Sequence, residues 1–129
     1  MGPDGNAVFF RKTKFHHKSN RHHVLDKSNS TLLVCELELK ASEKKITIYV
    51  THMKASKGFE SVRVAQTKHL MEIIKSDDSA AAILAGDFNA GLTEPVYDMV
   101  RSLGLESAYK EVLGAEPAYT TWKVRVTLR

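Results

Sequence analysis

Ile83-Leu84-Ala85-Gly86-Asp87-Phe88-Asn89-Ala90 is the stretch around which the rest of the chain is organised. The small apolar run from Ala81 to Ala85 predicts a short buried strand that is covered on both faces. Asp87 and Asn89 stand two residues apart, so in an extended chain they point the same way, while Phe88 points into the core. The stretch therefore predicts a carboxylate and an amide at the carboxyl edge of a sheet, where α/β proteins place their sites.

A Gly-Asp-x-Asn sequence after a strand is also typical of an ordinary turn, in which Asp and Asn bond their own backbone and Gly86 supplies the unusual dihedral angle. The end of a second strand favours a functional site over an ordinary turn. The β-branched run from Ile46 to Thr51 predicts a strand that ends in His52 and Lys54, again two residues apart. Two strand ends, one carrying basic groups and the other an acid and an amide, are typical of a cleft that binds phosphate groups.

Composition limits the class of protein. The chain has 129 residues, of which 43% are hydrophobic and 26% charged, and this predicts one globular domain or a large piece of one. A net charge of +4 suits an anionic substrate without requiring nucleic acid. Cys35 stands alone, so no disulfide framework is expected, and the default is a reducing compartment. With no apolar run of membrane length and no targeting segment, we expect an intracellular location, cytoplasmic or mitochondrial, and no membrane partner.

The first half of the chain predicts strands joined by polar segments. A short strand is expected over Ala7 to Phe10, and alternation over Thr31 to Leu39 predicts a strand with one wet face. This strand and Ile46 to Thr51 would form an antiparallel hairpin.

Four histidines fall within residues 16–23 and raise the hypothesis of a metal site. Neighbouring histidines would point to opposite sides of an extended chain, and no Cys or acidic cluster stands beside them. The favoured interpretation is a polar, His-rich loop over residues 16–30 that could contact an anionic ligand. The alternative is a histidine-rich metal-binding module.

The middle of the chain predicts a helix over Glu60 to Lys75 that connects two parallel strands. Ser61 is a plausible early cap, and Arg63 and Gln66 lie one turn apart on a face next to the buried one. The buried face is expected to carry Val62, Ala65, His69, Leu70, Ile73 and Ile74. If the strands are parallel, this crossover brings both polar strand ends together.

The last third of the chain predicts two short helices and a strand. Thr93-Glu94-Pro95 is typical of a helix start. The apolar stripe of that helix would consist of Val96, Met99, Val100 and Leu103, with Gly104 closing it, and Leu105 to Leu113 could add another turn or two. Tyr119 to Val126 predicts a strand in which Trp122 is a core anchor.

Several of these motifs together resemble the endonuclease/exonuclease/phosphatase superfamily with the DNase I-like fold, and within it the nocturnin group and the related deadenylases. The resemblance runs over nearly the whole chain. It is carried by Gly86 to Ala90 with Thr93-Glu94, Thr51-His52-Met53-Lys54 with Gly58-Phe59-Glu60, Arg63-x-x-Gln66, Ser107-Ala108-Tyr109 and Tyr119 to Lys123. It implies an α/β (α+β) fold, of which this chain would be part: a four-layer α/β/β/α sandwich.

The resemblance also implies residue roles. Asp87 would act on the attacking water and be a metal ligand, and Asn89 and His52 would contact the scissile phosphate. Lys54 would bind the substrate's phosphate groups, with Arg63 alongside. Members of this group carry a second basic residue two positions after that lysine. Here Ser56 stands there and Lys57 comes next, so Lys57 is the candidate for that place.

The function implied is magnesium-dependent phosphoester hydrolysis, acting on the 2′-phosphate of NADP(H) or on the 3′ end of poly(A). The family's main metal-binding glutamate lies upstream of this chain, and its closing Asp-His motif lies downstream. We therefore expect residues 1–129 to be a partial domain, weakened or inactive as it stands. The alternative is a non-catalytic fragment or binding module of the same fold.

Overall fold

A computed structural model of the chain describes residues 5–27, 30–77, 79 and 81–121. The strands are β1 (Phe15–Val24), β2 (Thr31–Leu39), β3 (Lys45–His52) and β4 (Ala82–Asp87), and the helices are α1 (Glu60–Ser76), α2 (Pro95–Arg101) and α3 (Ala108–Leu113). The four strands form one sheet in the order β1-β2-β3-β4. The expected α/β class is confirmed. Within these residues, no helix has the length and apolar character needed to span a membrane.

The strand pairing follows the sequence expectation on both sides of β3. β2 and β3 form the predicted antiparallel hairpin, with Val34 opposite Tyr49. β3 and β4 pair in parallel and are connected through α1, with Thr47 opposite Ala82. The pairing therefore leads both predicted polar strand ends to the same edge of the sheet.

The core lies between one face of the sheet and the helices α1 and α2. Its main buried members are Leu32, Val34, Tyr49 and Met53 from the β2–β3 part of the chain, Leu70 and Ile73 from α1, and Val96 from α2. Burying these apolar side chains is the main favourable contribution to folding, at about 25 cal/mol for each Å² removed from water.

The prediction of one wet face for β2 is wrong. Leu32 and Val34 are buried on the face that α1 covers, and Cys35 and Leu37 are buried on the opposite face. The physical reason is that β2 lies between β1 and β3, so side chains of both neighbouring strands flank its own side chains on each face. Burial on the second face raises the pKa of the Cys35 thiol.

The expectation that β4 is covered on both faces is also wrong for the described residues. β4 is the last strand of the sheet, and Ile83 is 50% exposed. Ala82 and Leu84 pack against the core, whereas Ile83 and Ala85 face the other way. The small apolar run thus predicted burial correctly for Ala82 and Leu84 only.

The histidine-containing part of the predicted loop over residues 16–30 is a strand. Residues 16–23 lie within β1, which pairs with β2 along its length and contains an irregularity between His17 and Ser19. The polar composition gave no strand signal because β1 is an outer strand whose side chains stay largely in water. Its stability comes from backbone pairing to β2 and from side-chain pairs such as Lys18 with Glu38.

The predicted strand over Ala7 to Phe10 is not present. That segment is irregular and is fixed by side chains instead of a backbone ladder. The Asn6 side-chain amide donates to the carbonyl oxygen of Thr31, and the ring of Phe10 stacks on His17 with 6.0 Å between centroids. A short β-rich composition cannot distinguish these contacts from strand pairing.

Helix α1 is confirmed, but its buried face is rotated from the predicted one. Its buried residues are Arg63, Gln66, Thr67, Leu70 and Ile73. Val62 and His69 are only partly buried, and Ala65 is exposed. Ser61 does not cap the helix, because the cap position is Phe59 and no side-chain cap bond forms. Three polar side chains therefore occupy the face that an apolar pattern would assign to hydrophobic residues.

Helix α2 begins where the sequence predicts, whereas α3 begins at Ala108, within the range that was predicted to start at Leu105. Pro95 opens α2, and Val96 is its buried residue. Gly104, with φ of 80°, closes the turn after α2. Helix α3 starts at a Ser107 cap, whose side chain accepts a hydrogen bond from the Lys110 backbone N–H. The predicted strand from Tyr119 to Val126 lies mostly outside the described residues, together with Trp122, and residues 119–121 are not a strand.

A polar network ties the end of α1 to the sheet. The buried Tyr49 hydroxyl donates to Asp77 Oδ2 at 2.6 Å, and Arg21 donates to both carboxylate oxygens of Asp77 at 3.0 and 3.1 Å. Burial, reinforced by the hydrogen bond to Asp77, raises the pKa of Tyr49 to about 12. The neutral phenol is therefore the form that the folded state stabilises.

We expect Tyr49→Phe to remove part of the alkaline pH dependence of stability. Because the Tyr49 pKa is higher in the folded state, its contribution is complete below the unfolded pKa of about 10 and is lost as pH rises through about 12. Near neutral pH the variant should lose about 1–2 kcal/mol of unfolding free energy, since Asp77 keeps Arg21 as a partner. Urea unfolding at pH 7, 9 and 11 measures both effects, with the exposed Tyr109→Phe as control. Equal pH dependence in wild type and Tyr49→Phe would contradict the assignment.

Candidate active site

The parallel ladder between β3 and β4 brings the two polar strand ends together. Thr51 lies opposite Gly86, and His52 lies opposite Asp87. Side chains of residues paired in register project from the same face of a sheet, so His52 and Asp87 are neighbours at its carboxyl edge. His52 is exposed and Asp87 is partly buried. The sequence expectation that these two strand ends meet is confirmed.

Asn89 is placed differently from the expectation, because the chain does not stay extended through it. Its φ is 49°, and its backbone N–H donates to Asp87 Oδ1 at 2.9 Å. Its side-chain Nδ2 donates to the carbonyl oxygen of Met53 at 2.9 Å. Asn89 therefore lies in a turn, and this turn is itself at the carboxyl edge of the sheet. One N–H of the Asn89 amide holds the two loops together.

Gly86 lets the two strands approach at the site. Its φ is 129°, and a Cβ built at this position would lie 1.9 Å from the carbonyl oxygen of Thr51. Real Cβ atoms do not approach a carbonyl oxygen so closely, so the register that pairs His52 with Asp87 requires glycine here.

Lys54 lies at a groove beside the start of α1. Its Nζ is 5.0 Å from the centroid of the Phe59 ring, a cation–π contact that orients the side chain. The open groove has a volume of about 480 Å³, and it is lined by Asp26, Lys27, Lys54, Phe59, Ser61, Val62 and Ala65. Lys57 is exposed in the following turn, which Ser56 and Gly58 form with φ of 84° and 82°. Both lysines are thus placed at the surface next to the strand ends.

Arg63 does not lie where a substrate could reach it. Its side chain is 2% exposed, and it donates to Glu94 Oε2 at 2.9 Å and Glu94 Oε1 at 3.1 Å. Its Nη1 also donates to the carbonyl oxygens of Lys54 and Ser56, at 3.0 Å each. The expectation of a substrate-binding role does not fit this burial, because the guanidinium is already occupied by protein acceptors.

Gln66, one turn along α1, makes a second set of buried links. Its Oε1 accepts from the Lys54 backbone N–H at 3.0 Å, and its Nε2 donates to Asp26 Oδ2 at 2.7 Å. Sequence reasoning noticed the Arg63-x-x-Gln66 spacing but missed Glu94 and Asp26 as partners. For Glu94 the only signal was an acid at a helix start, which is normally explained by the helix dipole.

The described residues do not by themselves supply a magnesium site. Among them, no group of three or more His, Cys, Asp or Glu side chains is placed to hold a metal ion. Magnesium prefers carboxylate and water oxygens in octahedral geometry, and among the described residues Asp87 is the carboxylate at the ends of β3 and β4. One Asp87 oxygen already accepts from the Asn89 backbone. Asp87 could therefore contribute a single ligand, and the magnesium expectation stays a prediction.

The histidines of β1 were the other candidate metal ligands. His16 and His22 are exposed, and adjacent histidines alternate across the strand. No metal-binding group is formed by them within the part of the chain that the structure describes. The alternative of a histidine-rich metal module is thus without support from the geometry.

No model of a protein family matches the chain. Mouse nocturnin is 39% identical over 138 residues, which cover 98% of this chain and 32% of nocturnin. The solved human nocturnin catalytic domain with bound sulfate anion superposes with a TM-score of 0.79 at 34% identity, covering 88% of this chain and 46% of that one.

A more distant solved structure agrees in fold alone. ANGEL2, a 2′,3′-cyclic phosphatase in complex with adenosine-2′,3′-vanadate, gives a TM-score of 0.62 at 21% identity, covering 72% of this chain and 31% of that one. The chain spans about a third of the length of the curated nocturnins it matches. It is a homologue of nocturnin, and its strands and helices are those of the DNase I-like fold of endonuclease/exonuclease/phosphatase proteins.

Proposed function

We propose that this chain carries the water-activating and phosphate-binding edge of a nocturnin-type phosphoester hydrolase. The observation that carries the proposal is the in-register pair of His52 and Asp87 at the end of β3 and β4, with Asn89 and Lys54 on the two loops that follow. The substrate would be the 2′-phosphate of NADP(H) or the 3′ end of poly(A), and magnesium would be the cofactor. The homology to nocturnin supports the class of reaction.

The residues at this edge have the chemistry that the reaction needs. An ionised Asp87 can orient the attacking water and take its proton as the phosphorus–oxygen bond to the leaving group breaks. The remaining N–H of the Asn89 amide can hold a phosphoryl oxygen, and His52 can donate a hydrogen bond to another. Lys54 supplies a positive charge for the substrate's other phosphate groups. Lys57, which is exposed in the same loop, would add a second charge.

A second candidate function is a binding module of the same fold without catalysis. The observation that favours it is the single carboxylate at the edge, which gives no complete metal site among the described residues. Such a module would bind a phosphorylated nucleotide through Lys54 and Asn89 without turning it over.

We expect Asp87→Asn to abolish phosphate release from NADPH, with a fall of about 10²-fold or more if Asp87 is the base. Asparagine keeps an oxygen that can accept the Asn89 backbone N–H, so the turn is preserved while the charge is lost. The measurement is inorganic phosphate released from NADPH, and in parallel the shortening of an oligo(A) strand, each with magnesium and with EDTA.

Asp98→Asn is the matched control, because Asp98 is an exposed acid on α2 away from the strand ends. Metal-dependent release by wild type and by Asp98→Asn, absent in Asp87→Asn, supports the hydrolase. If folded wild type releases no more phosphate than Asp87→Asn but binds NADPH, the binding module is the better description. Release that is equal with magnesium and with EDTA would contradict the cofactor proposal.

A further inference from the structure

We propose that the buried pair Arg63–Glu94 is a positioning element of the site, in addition to being part of the core. It couples the loop that follows β3 to the loop that follows β4. The proposal rests on the proposed function for its consequence in substrate binding, but the coupling itself is a property of the fold.

The geometry shows one guanidinium contacting both loops. On the β3 side, Arg63 Nη1 donates to the backbone carbonyl oxygens of Lys54 and Ser56. Lys54 is itself the residue that carries the proposed phosphate-binding ammonium group. On the β4 side, Nε and Nη2 bind the two carboxylate oxygens of Glu94, at the end of the loop that begins with Phe88 and Asn89. All four bonds are between 2.9 and 3.1 Å long.

Because Arg63 is buried, its guanidinium depends on protein acceptors for its hydrogen bonds. Arg63 is 2% exposed and Glu94 is 23% exposed. Glu60 lies further from the guanidinium, with Oε1 at 3.5 Å, and is half exposed. A buried guanidinium in a fixed fork needs all of its acceptors in place, because an unsatisfied donor in the interior is costly. The loops can therefore adopt few other positions without breaking the pair.

Stability alone does not require an ion pair at this place. Apolar side chains of similar volume often replace a buried pair without loss of stability, because the charges no longer have to be desolvated. The acceptors are two carbonyl oxygens on the loop after β3 and a carboxylate on the loop after β4, so the guanidinium links two separate loops. Holding Lys54 and Asn89 in a fixed relation is a use that explains the chosen acceptors, since misplacing a binding group by about 1 Å can lower a rate about 100-fold.

The experiment compares Arg63→Met, Glu94→Met and the double variant Arg63→Met/Glu94→Met. Each single variant leaves one partner buried and unpaired, so its thermal midpoint should fall. The double variant should regain most of that loss. Lys18→Met/Glu38→Met removes a surface pair between β1 and β2 and is the matched control.

Two readouts are taken on proteins of comparable thermal midpoint. Backbone hydrogen exchange by mass spectrometry follows residues 53–59 and 88–94, with residues 32–37 of β2 as internal reference. NADPH affinity is measured by calorimetry in EDTA, and kcat and KM are measured with magnesium. In the double variant we expect exchange in both loops to rise at least about tenfold while the β2 segment is unchanged, and NADPH binding to weaken at least about tenfold.

A double variant that regains stability with wild-type loop exchange and wild-type NADPH affinity would overturn the proposal, because the pair would then be a packing element only. So would faster exchange spread evenly over the chain. If the double variant does not fold, Arg63→Lys serves instead, since an ammonium keeps the charge but cannot reach all four acceptors. It should show the same two loop effects to a smaller degree, and unchanged loops would count against coupling.

The failure of the proposed function would look different. If wild type neither binds nor hydrolyses NADPH, the hydrolase proposal fails, yet loop exchange in the double variant still decides whether Arg63–Glu94 couples the loops.

Discussion

Gly86→Ala is expected to lower the free energy of unfolding by at least about 3 kcal/mol, combining the strain of a positive φ with an overpacked contact. The φ of 129° is one that side chains with a Cβ rarely adopt. The added methyl would meet the Thr51 carbonyl oxygen at 1.9 Å, and that oxygen belongs to backbone, which cannot rotate away as a side chain would. Relief requires β3 and β4 to separate where His52 and Asp87 are aligned.

Urea unfolding followed by circular dichroism measures the loss for Gly86→Ala. Gly91→Ala, in the loop that follows β4, is the control, because a Cβ there would meet no atom within 4 Å. It should change stability by less than about 1 kcal/mol. Equal effects at the two glycines would show that the close approach of the strands is not a constraint. If the chain releases phosphate from NADPH as proposed, that release should be lost in Gly86→Ala even under conditions where most molecules are folded.

Arg63→Ala is expected to destabilise the chain by about 3–5 kcal/mol, the usual cost of removing one partner of a buried ion pair. Glu94 would keep a partly buried carboxylate without its cation, and the carbonyl oxygens of Lys54 and Ser56 would lose a shared donor. The small gain in helix propensity from alanine within α1 does not offset these losses.

Lys68→Ala is the control for Arg63→Ala, because Lys68 is an exposed cation on the same helix. It should lie within about 0.5 kcal/mol of wild type. Guanidinium chloride is avoided as the denaturant, since its ions screen the charges under study, and urea is used instead. A loss of less than about 1 kcal/mol for Arg63→Ala would mean that water replaces the lost hydrogen bonds and that the pair is not effectively buried.

The sequence predicted the elements whose local signal agrees with their place in the fold. Thr31 to Leu39 and Ile46 to Thr51 are β-branched or alternating and became β2 and β3. The helix from Glu60 and the proline start at Pro95 were also recovered, because helix length and start signals are local properties.

The errors occurred where tertiary contacts decide. The segment from His16 to His23 has no apolar alternation, yet it is a strand because β2 offers a backbone edge. The apolar face assigned to α1 was only partly right. Leu70 and Ile73 are buried as predicted. Arg63 and Gln66 are buried too, and their partners Glu94 and Asp26 are far away in the chain. A sequence pattern cannot show which distant acid will neutralise a buried cation.

The candidate site was partly predictable, because part of its signal is local in the sequence. Two polar strand ends can be read from the sequence, and the parallel crossover that joins them follows from strand–helix–strand order. The turn at Asn89 could not be chosen over an extended chain, because both are compatible with Gly-Asp-Phe-Asn. The pairing of Arg63 with Glu94 could not be predicted, because it depends on the burial of the Arg63 side chain in the folded chain.

The topology of the sheet gives the site a particular place in folding. β1, β2 and β3 are neighbours both in sequence and in space, so their pairing needs only short loops to close. β4 joins the sheet only after the whole segment from Met53 to Ala81 has been folded back, and the loop-closure entropy of that segment falls on this one pairing. The three-stranded meander can therefore be complete in a molecule in which His52 and Asp87 have not yet met.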